Sequence, residues 1–313
     1  MPTAALHERD SARHFTDPIA VDKAEVENSR RRRSGRLPLY RDTAADVLSR
    51  PSPQGPADPR HDLLRVLLER AGKVALDRFR EPEVRVKSDG SVVTDADLVA
   101  NAVLIDGLTR AFPDDALISE ESEQAAAGNA AGTWYIDPID GTSAFTEGLA
   151  HWGPTVARRD ALGWDVGAFW LPRLGEWWFA SRDGGAWRDG VRLSARSPEV
   201  SHRRRSLYLP SGAHHLGSLH WRGKGRSLGS TAAHLALVAG GGAAATIVPS
   251  WSPWDVGCGL LLLQETANAV TDLDGASIDP MDHLDLPFLA GAPGVLPDLA
   301  SALRGALDSS AWT

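Results

Sequence analysis

A chain of 313 residues with 42% apolar side chains can bury a sizeable core, either as one large domain or as two packed halves. Its formal net charge of −8 excludes a dedicated nucleic-acid binder, which needs an excess of Lys and Arg along one face, but leaves room for a small anionic substrate if a metal supplies positive charge. The single cysteine, Cys258, rules out an internal disulfide and points to a reducing, cytoplasmic setting, and no apolar run approaches the roughly 20 residues that would span a membrane or follows a leader pattern.

Residues 1–60 mix charges, carry Arg30-Arg31-Arg32-Arg33 and end in a stretch with Pro51, Pro53, Pro56 and Pro59, the composition of a disordered or loosely attached extension. A lone run of four arginines in an acidic chain reads as a solvated tail. From His61 the pattern changes. Leu63, Leu64, Val66, Leu67, Leu68, Ala71, Val74, Ala75 and Phe79 recur at helical spacing, and a second helix is expected from Asp95 to Phe112, capped by Thr94 and ended by Pro113. Short β-like runs follow at 116–118, 133–136, 155–157, 166–170 and 176–180, separated by Gly, Pro and Asp turn signals. Trp152, Trp164, Trp170, Trp177, Trp178 and Trp187 in this region are expected to pack. Residues 61–200 therefore read as an α+β half with helices on a sheet. Strand-like 206–209, a helix over 230–239, strand-like 243–248 and a helix over 253–267 make 201–313 a second, smaller α/β half.

Two of the runs lead into acids: Leu117-Ile118 into Ser119-Glu120-Glu121-Ser122, and Trp134-Tyr135-Ile136 into Asp137-Pro138-Ile139-Asp140-Gly141-Thr142. Active sites of layered α/β proteins favour strand ends, and Mg²⁺ prefers carboxylate, carbonyl and water oxygens. Pro138 fixes a backbone torsion between the two aspartates, Gly141 permits a conformation closed to other residues, and a helix starting at Thr142 would turn free N–H groups toward a phosphate. A third acid, Asp255 in Trp254-Asp255-Val256-Gly257, falls at an expected helix start. Singly, a Glu-Glu pair is a surface feature and Asp-Pro-x-Asp-Gly a turn; their co-occurrence favours a metal site. His214, His215, His220 and His234 lack the Cys partners and tight spacing of a zinc site, and no Gly-x-Ser-x-Gly elbow is present.

In order and spacing, from about residue 61 to the C-terminus, these motifs resemble the inositol monophosphatase superfamily. Lys87-Ser88-Asp89-Gly90-Ser91-Val92-Val93-Thr94-Asp95-Ala96-Asp97 and Gly229-Ser230-Thr231-Ala232-Ala233 add to the likeness. The resemblance implies a layered αβαβα sandwich and a phosphoric monoester hydrolase, active as a homodimer on a small phosphorylated metabolite. It implies that Glu120, Asp137, the Ile139 carbonyl, Asp140 and Asp255 bind two or three Mg²⁺ ions, for which Mn²⁺ can substitute. Asp97 would help hold the weakest of them, while Thr142 and Glu120 orient the attacking water. Gly141, Thr142, Gly229, Ser230, Thr231 and Asp255 would contact substrate, and Lys87 would sit on a loop that closes over the site.

Inositol-specific members of that superfamily resemble one another in an acid shortly before the Trp-Asp pair. Here 246–253, Thr-Ile-Val-Pro-Ser-Trp-Ser-Pro, has none. Residues 167–187, with Glu176-Trp177-Trp178-Phe179-Ala180, are similar to histidinol-phosphate phosphatases, which makes histidinol phosphate the first expectation ahead of inositol, sugar or 3′-phosphoadenosine phosphates and of a non-catalytic, metabolite-binding role. Glu265-Thr266-Ala267-Asn268 departs from the usual Glu-Ala-Gly-Gly, and Cys258 interrupts an Ala/Gly run.

Overall fold

The computed structural model describes residues 55–79, 81–86, 92–122, 130–194, 206–213, 219–282 and 286–303. Arg30 to Arg33, Pro51, Pro53, Lys87 with 88–91, His214 and His215 lie outside them.

Apolar residues at helical spacing give α1 (Arg60–Leu76), which buries Leu64, Leu67, Leu68, Ala71 and Ala75, and α2 (Asp95–Ala111), which buries Ala100, Leu104 and Leu108. These stripes lie on one face of a seven-stranded sheet ordered β3 (Ala116–Ser119), β4 (Thr133–Asp140), β5 (Gly153–Asp160), β6 (Gly163–Leu171), β7 (Glu176–Ser181), β8 (Gly185–Arg188) and β9 (Val191–Arg192). The first pair is parallel and the rest antiparallel. Trp134, Ile136, Val156, Val166, Ala168, Trp177 and Phe179 form the sheet's side of this core. Each large side chain buried there contributes roughly 1.5–3 kcal/mol.

Two helices cover the opposite face: α4 (Thr231–Ala239) and α5 (Pro253–Glu265). Both are apolar nearly all round because they are sandwiched. Trp178, Phe169 and Val256 meet on their inner side, while Tyr208, Val248 and Phe288 of a second sheet meet them on the other. That sheet runs β11 (Gly225–Arg226), β10 (Leu207–Tyr208), β12 (Ala245–Val248), β14 (Phe288–Gly291), β13 (Ala269–Thr271). Its outer face is closed by α6 (Leu296–Leu303), through Leu296, Leu299 and Leu303 on Leu207, Ile247 and Leu289. The order helices, sheet, helices, sheet, helix is the expected αβαβα sandwich.

Some boundaries move. The helix expected to reach Ala267 stops at Glu265, because Ala267 takes a left-handed backbone (φ 54°). The pair β1 (Val84–Val86) and β2 (Val92–Thr94) escapes sequence reading because β1 is exposed along its length and shows no alternation. Trp152, Trp164, Trp177 and Trp178 are buried and Trp170 and Trp187 half-buried, so the tryptophans do pack. The last residues of the expected N-terminal extension are tied to the large sheet: Asp58 pairs with Arg60 at 2.7 Å, Arg60 with Asp165 at 2.6 Å, and Asp165 with Arg158 at 3.0 Å.

Candidate metal centre

Residues three apart in a regular strand face opposite sides, so Asp137 and Asp140 need a device to converge. Strand β4 supplies it. Asp137 pairs with Thr155 of β5 and Asp140 with Gly153, so two residues of β4 oppose one of β5, a bulge that turns both carboxylates to the same side. Asp137 Oδ1 accepts the Ile139 N–H at 2.8 Å, which fixes the loop from inside. The chain then reverses at Gly141 (φ 90°), where a Cβ would come within 3.0 Å of the Gly229 carbonyl, and enters the short helix α3 (Thr142–Thr146). Gly229 (φ 82°) is equally confined, against Ala144.

The other acids arrive at helix starts. Asp97 is the third residue of α2 and accepts the Thr94 N–H at 2.7 Å and the Thr94 hydroxyl at 2.5 Å. Asp255 is the third residue of α5 and accepts the Ser252 N–H at 2.7 Å. Both complete helix caps while keeping a second oxygen for other use. Asp137, Asp140 and Asp255 each present a carboxylate oxygen, all within 4.8 Å of one another. Glu120, in the turn after β3, stands outside that trio, yet its charge bears on Asp97, Asp137, Asp140 and Asp255. Thr142 Oγ1 lies 3.1 Å from the Ile139 carbonyl and 3.3 Å from Asp97 Oδ1, and its one proton serves either acceptor.

Sequence reading places Ser230 and Thr231 at the substrate; here they have a partner inside the protein. The Ser230 hydroxyl and the Ala232 N–H both donate to Asp140 Oδ2, and the Thr231 N–H also bonds to Asp140. The start of α4 thus aims a carboxylate. Asn101 is a residue that sequence reading missed. Buried one turn beyond Asp97, it receives the Ser119 hydroxyl at 2.7 Å and donates to Ser122 at 2.8 Å, pinning both ends of the loop that carries Glu120. Its polar character at a core-facing helix position is the signal that could have revealed it.

Concentrating acids out of water pushes their pKa values up. Burial, then the neighbouring carboxylates, holds Asp137 well above the usual range. Burial raises Asp140 to about 7 against the pull of Ser230 and Ala232, and burial with Asp140 nearby raises Asp255 to about 8. Asp97 rises to about 6, again through burial, with Thr94 opposing. An all-oxygen, mutually repelling set of this kind suits a hard divalent cation. Of the histidines once weighed for zinc, His234 is buried elsewhere, its Nε2 accepting the Leu228 N–H at 3.0 Å, and His220 is exposed.

The family model described as "Inositol monophosphatase family" matches residues 61–307. The chain belongs to the inositol monophosphatase family. That family consists of metal-dependent phosphoric monoester hydrolases, and the buried acids of this member form a donor set in keeping with it. A histidinol-phosphatase of Chlorobaculum parvum is 34% identical over 219 residues, covering 67% of this chain and 84% of the relative. An inositol-1-monophosphatase of Rhizobium meliloti is 30% identical over 236 residues, 69% of this chain and 87% of the relative. Among solved structures, an IMPase/NADP phosphatase complexed with Mg²⁺ and phosphate superimposes with a TM-score of 0.68 at 20% identity, over 78% of this chain and 94% of that one. Among the described residues, no helix of this inositol monophosphatase family member is long and apolar enough to cross a membrane.

Proposed function

We propose that the protein is a Mg²⁺-dependent phosphomonoesterase whose substrate is a small phosphorylated metabolite, histidinol phosphate in the first instance. The observation that carries this reading is the convergence of Asp137, Asp140 and Asp255 within 4.8 Å, the first two buried and the third half-buried, all three held above the usual carboxylate range. These three, the Ile139 carbonyl and Glu120 would hold two or three divalent ions, with Asp97 beside them. Bound there, the ions supply Lewis acidity toward the attacking water and the phosphoryl oxygens. The Thr142 hydroxyl, donating to Ile139 or Asp97, has its lone pairs left to accept from that water. Asp97, whose Oδ1 lies 3.3 Å from the Thr142 hydroxyl, is placed to receive a proton passed through Thr142.

Histidinol phosphate is favoured by the 34% identical relative and by the absence of any acid in 246–253. Inositol phosphate is the second reading, supported by the 30% identical relative. Phosphate release from histidinol phosphate, inositol phosphates, 3′-phosphoadenosine phosphate and sugar phosphates, with Mg²⁺ and with chelator, separates them. The expected result is metal-dependent release that is highest with histidinol phosphate and falls by about three orders of magnitude or more in Asp137→Asn. Release that survives chelation, or an Asp137→Asn variant with full turnover, overturns the metal assignment; preference for another ester overturns the substrate.

A further inference from the structure

Helix α1 holds none of the acids that converge at the metal centre, yet the turn that follows it packs against several segments that do. Phe79, three residues beyond the end of α1, is buried in a cluster with Ala75, Ala96, Ile139, Phe145 and Trp152. Its ring stacks on Trp152, with centroids 5.3 Å apart and planes at 26°. Phe145 stands edge-on to both, 5.5 Å from Phe79 and 4.7 Å from Trp152. Stacked and edge-to-face pairs at these separations are directional as well as apolar, so the three rings fix one another as a box. The Trp152 indole N–H donates to the Leu149 carbonyl at 3.2 Å, and the Arg173 guanidinium lies over the Phe79 ring, 4.8 Å from its centre.

Four members of the cluster are chained directly to the centre. Ile139 lies wholly buried between Asp137 and Asp140, and Ala96 directly precedes Asp97. Phe145 sits one turn along α3 from Thr142, and Trp152 directly precedes Gly153, the β5 partner of Asp140. The two acceptors that face the Thr142 hydroxyl, the Ile139 carbonyl at 3.1 Å and Asp97 Oδ1 at 3.3 Å, therefore hang from segments that the same rings support. A backbone carbonyl follows its planar peptide and has no side-chain torsion with which to be re-aimed, and a close-packed interior passes the loss of one ring on to its neighbours. The residue beside Phe79 fastens the same joint by polar means. Arg78 Nε donates to Asp95 Oδ2 at 2.9 Å and Arg78 Nη1 to the Val74 carbonyl at 3.0 Å, so the end of α1 is tied to the start of α2.

We infer that Phe79 is a positioning residue of the phosphatase centre, holding the Ile139 carbonyl, Asp97 and Thr142 at their mutual spacing through Phe145 and Trp152 while itself touching neither metal nor substrate. The inference rests on the proposed phosphatase reading and extends it to a residue outside the acidic motifs. A misplacement of about 1 Å far from the chemistry can lower a rate about 100-fold, and removing the groups that orient a metal ligand weakens metal binding or activity about 10- to 100-fold. Loss of the ring is therefore felt in turnover and in metal affinity, and not in stability alone.

The test sets Phe79→Ala and Phe79→Leu beside Leu299→Ala, which empties buried apolar volume in the far layer between α6 and the second sheet. Two quantities are read well below each variant's Tm: kcat at saturating Mg²⁺ for the ester that the wild type hydrolyses fastest, and the Kd for Mn²⁺ by calorimetry. Phe79→Ala is expected to lower kcat roughly 10- to 100-fold with KM little changed, and to weaken Mn²⁺ binding about tenfold. Phe79→Leu, which keeps most of the bulk, is expected to stay within about threefold of the wild type in both. Leu299→Ala is expected to lower Tm and leave both unchanged. Should Phe79→Ala fail to fold, Phe79→Val is read in its place. A Phe79→Ala variant whose kcat and Mn²⁺ affinity match those of Leu299→Ala overturns the inference and makes Phe79 a core residue only. A wild type that hydrolyses no ester removes the phosphatase reading instead, and the Mn²⁺ titration of the same variants then decides the inference alone.

Discussion

Asp140 and Asp137 are neighbours with opposite structural debts. Asp140 Oδ2 is the acceptor for the Ser230 hydroxyl and the Ala232 N–H, so Asp140→Asn leaves buried donors facing an amide and is expected to cost about 1–3 kcal/mol of stability besides activity. Asp137 accepts the Ile139 N–H and is surrounded by like charge, so Asp137→Asn is expected to abolish turnover yet unfold no more easily than the wild type in the absence of metal. Denaturant melts of the two chelated variants at pH 8 check the contrast; equal destabilisation would contradict it. Ala267 is a second test at this scale. It holds φ 54°, and a left-handed alanine costs about 1–2 kcal/mol. Part of that is returned through the unfolded chain, so Ala267→Gly is expected to stabilise by about 1 kcal/mol, a rise of roughly 2–4 °C in Tm, without altering kcat.

At the scale of elements, α2 reaches the centre twice, through Asp97 at its first turn and through Asn101 one turn later. Asn101→Ala should release the Ser119–Ser122 loop, and the Mg²⁺ concentration for half-maximal activity is expected to rise about tenfold, as when groups that orient a metal ligand are removed. A metal titration of the variant reads this directly; unchanged half-saturation would mean that Glu120 is aimed by other contacts. The two long helices and the acids of β4 and α5 are legible in the sequence because each rests on a local pattern: apolar spacing, a cap, an Asp-Pro-x-Asp-Gly turn. The ties that aim those acids are not. Ser230 reaches Asp140 across 90 positions, and Ser119 reaches Asn101 across 18, so nothing in either neighbourhood announces the other. The short strands β13 and β14 and helix α6 also escape, since brief apolar runs do not distinguish strand from helix until the layer they complete is known.

For the whole molecule, the raised carboxyls make the metal-free fold sensitive to alkali. A carboxyl with a native pKa above its unfolded value is still protonated in the native state when the unfolded chain has released its proton, so stability falls as pH rises through that window. Asp97 at about 6, Asp140 at about 7 and Asp255 at about 8 place the window between about 4 and 8. Asp115, lowered chiefly by its hydrogen bonds from Arg158, works the other way, contributing stability that is lost only as pH falls below the usual carboxylate range. Tm of the chelated protein is therefore expected to peak in mild acid, and Mg²⁺ to raise it more at pH 8 than at pH 5; a hundredfold excess over Kd adds about 2.7 kcal/mol of stability. A Mg²⁺ effect independent of pH would contradict the coupling. The capping roles of the acids bear on descent as well as on folding. Asp97 and Asp255 start helices, and Asp140 anchors the start of another, so a descendant that lost catalysis would be expected to keep all three for the sake of its architecture. Drift in such a lineage should show first at Asp137 and Glu120, which start no helix, and the identity of those two residues is the better guide to which relatives are still enzymes.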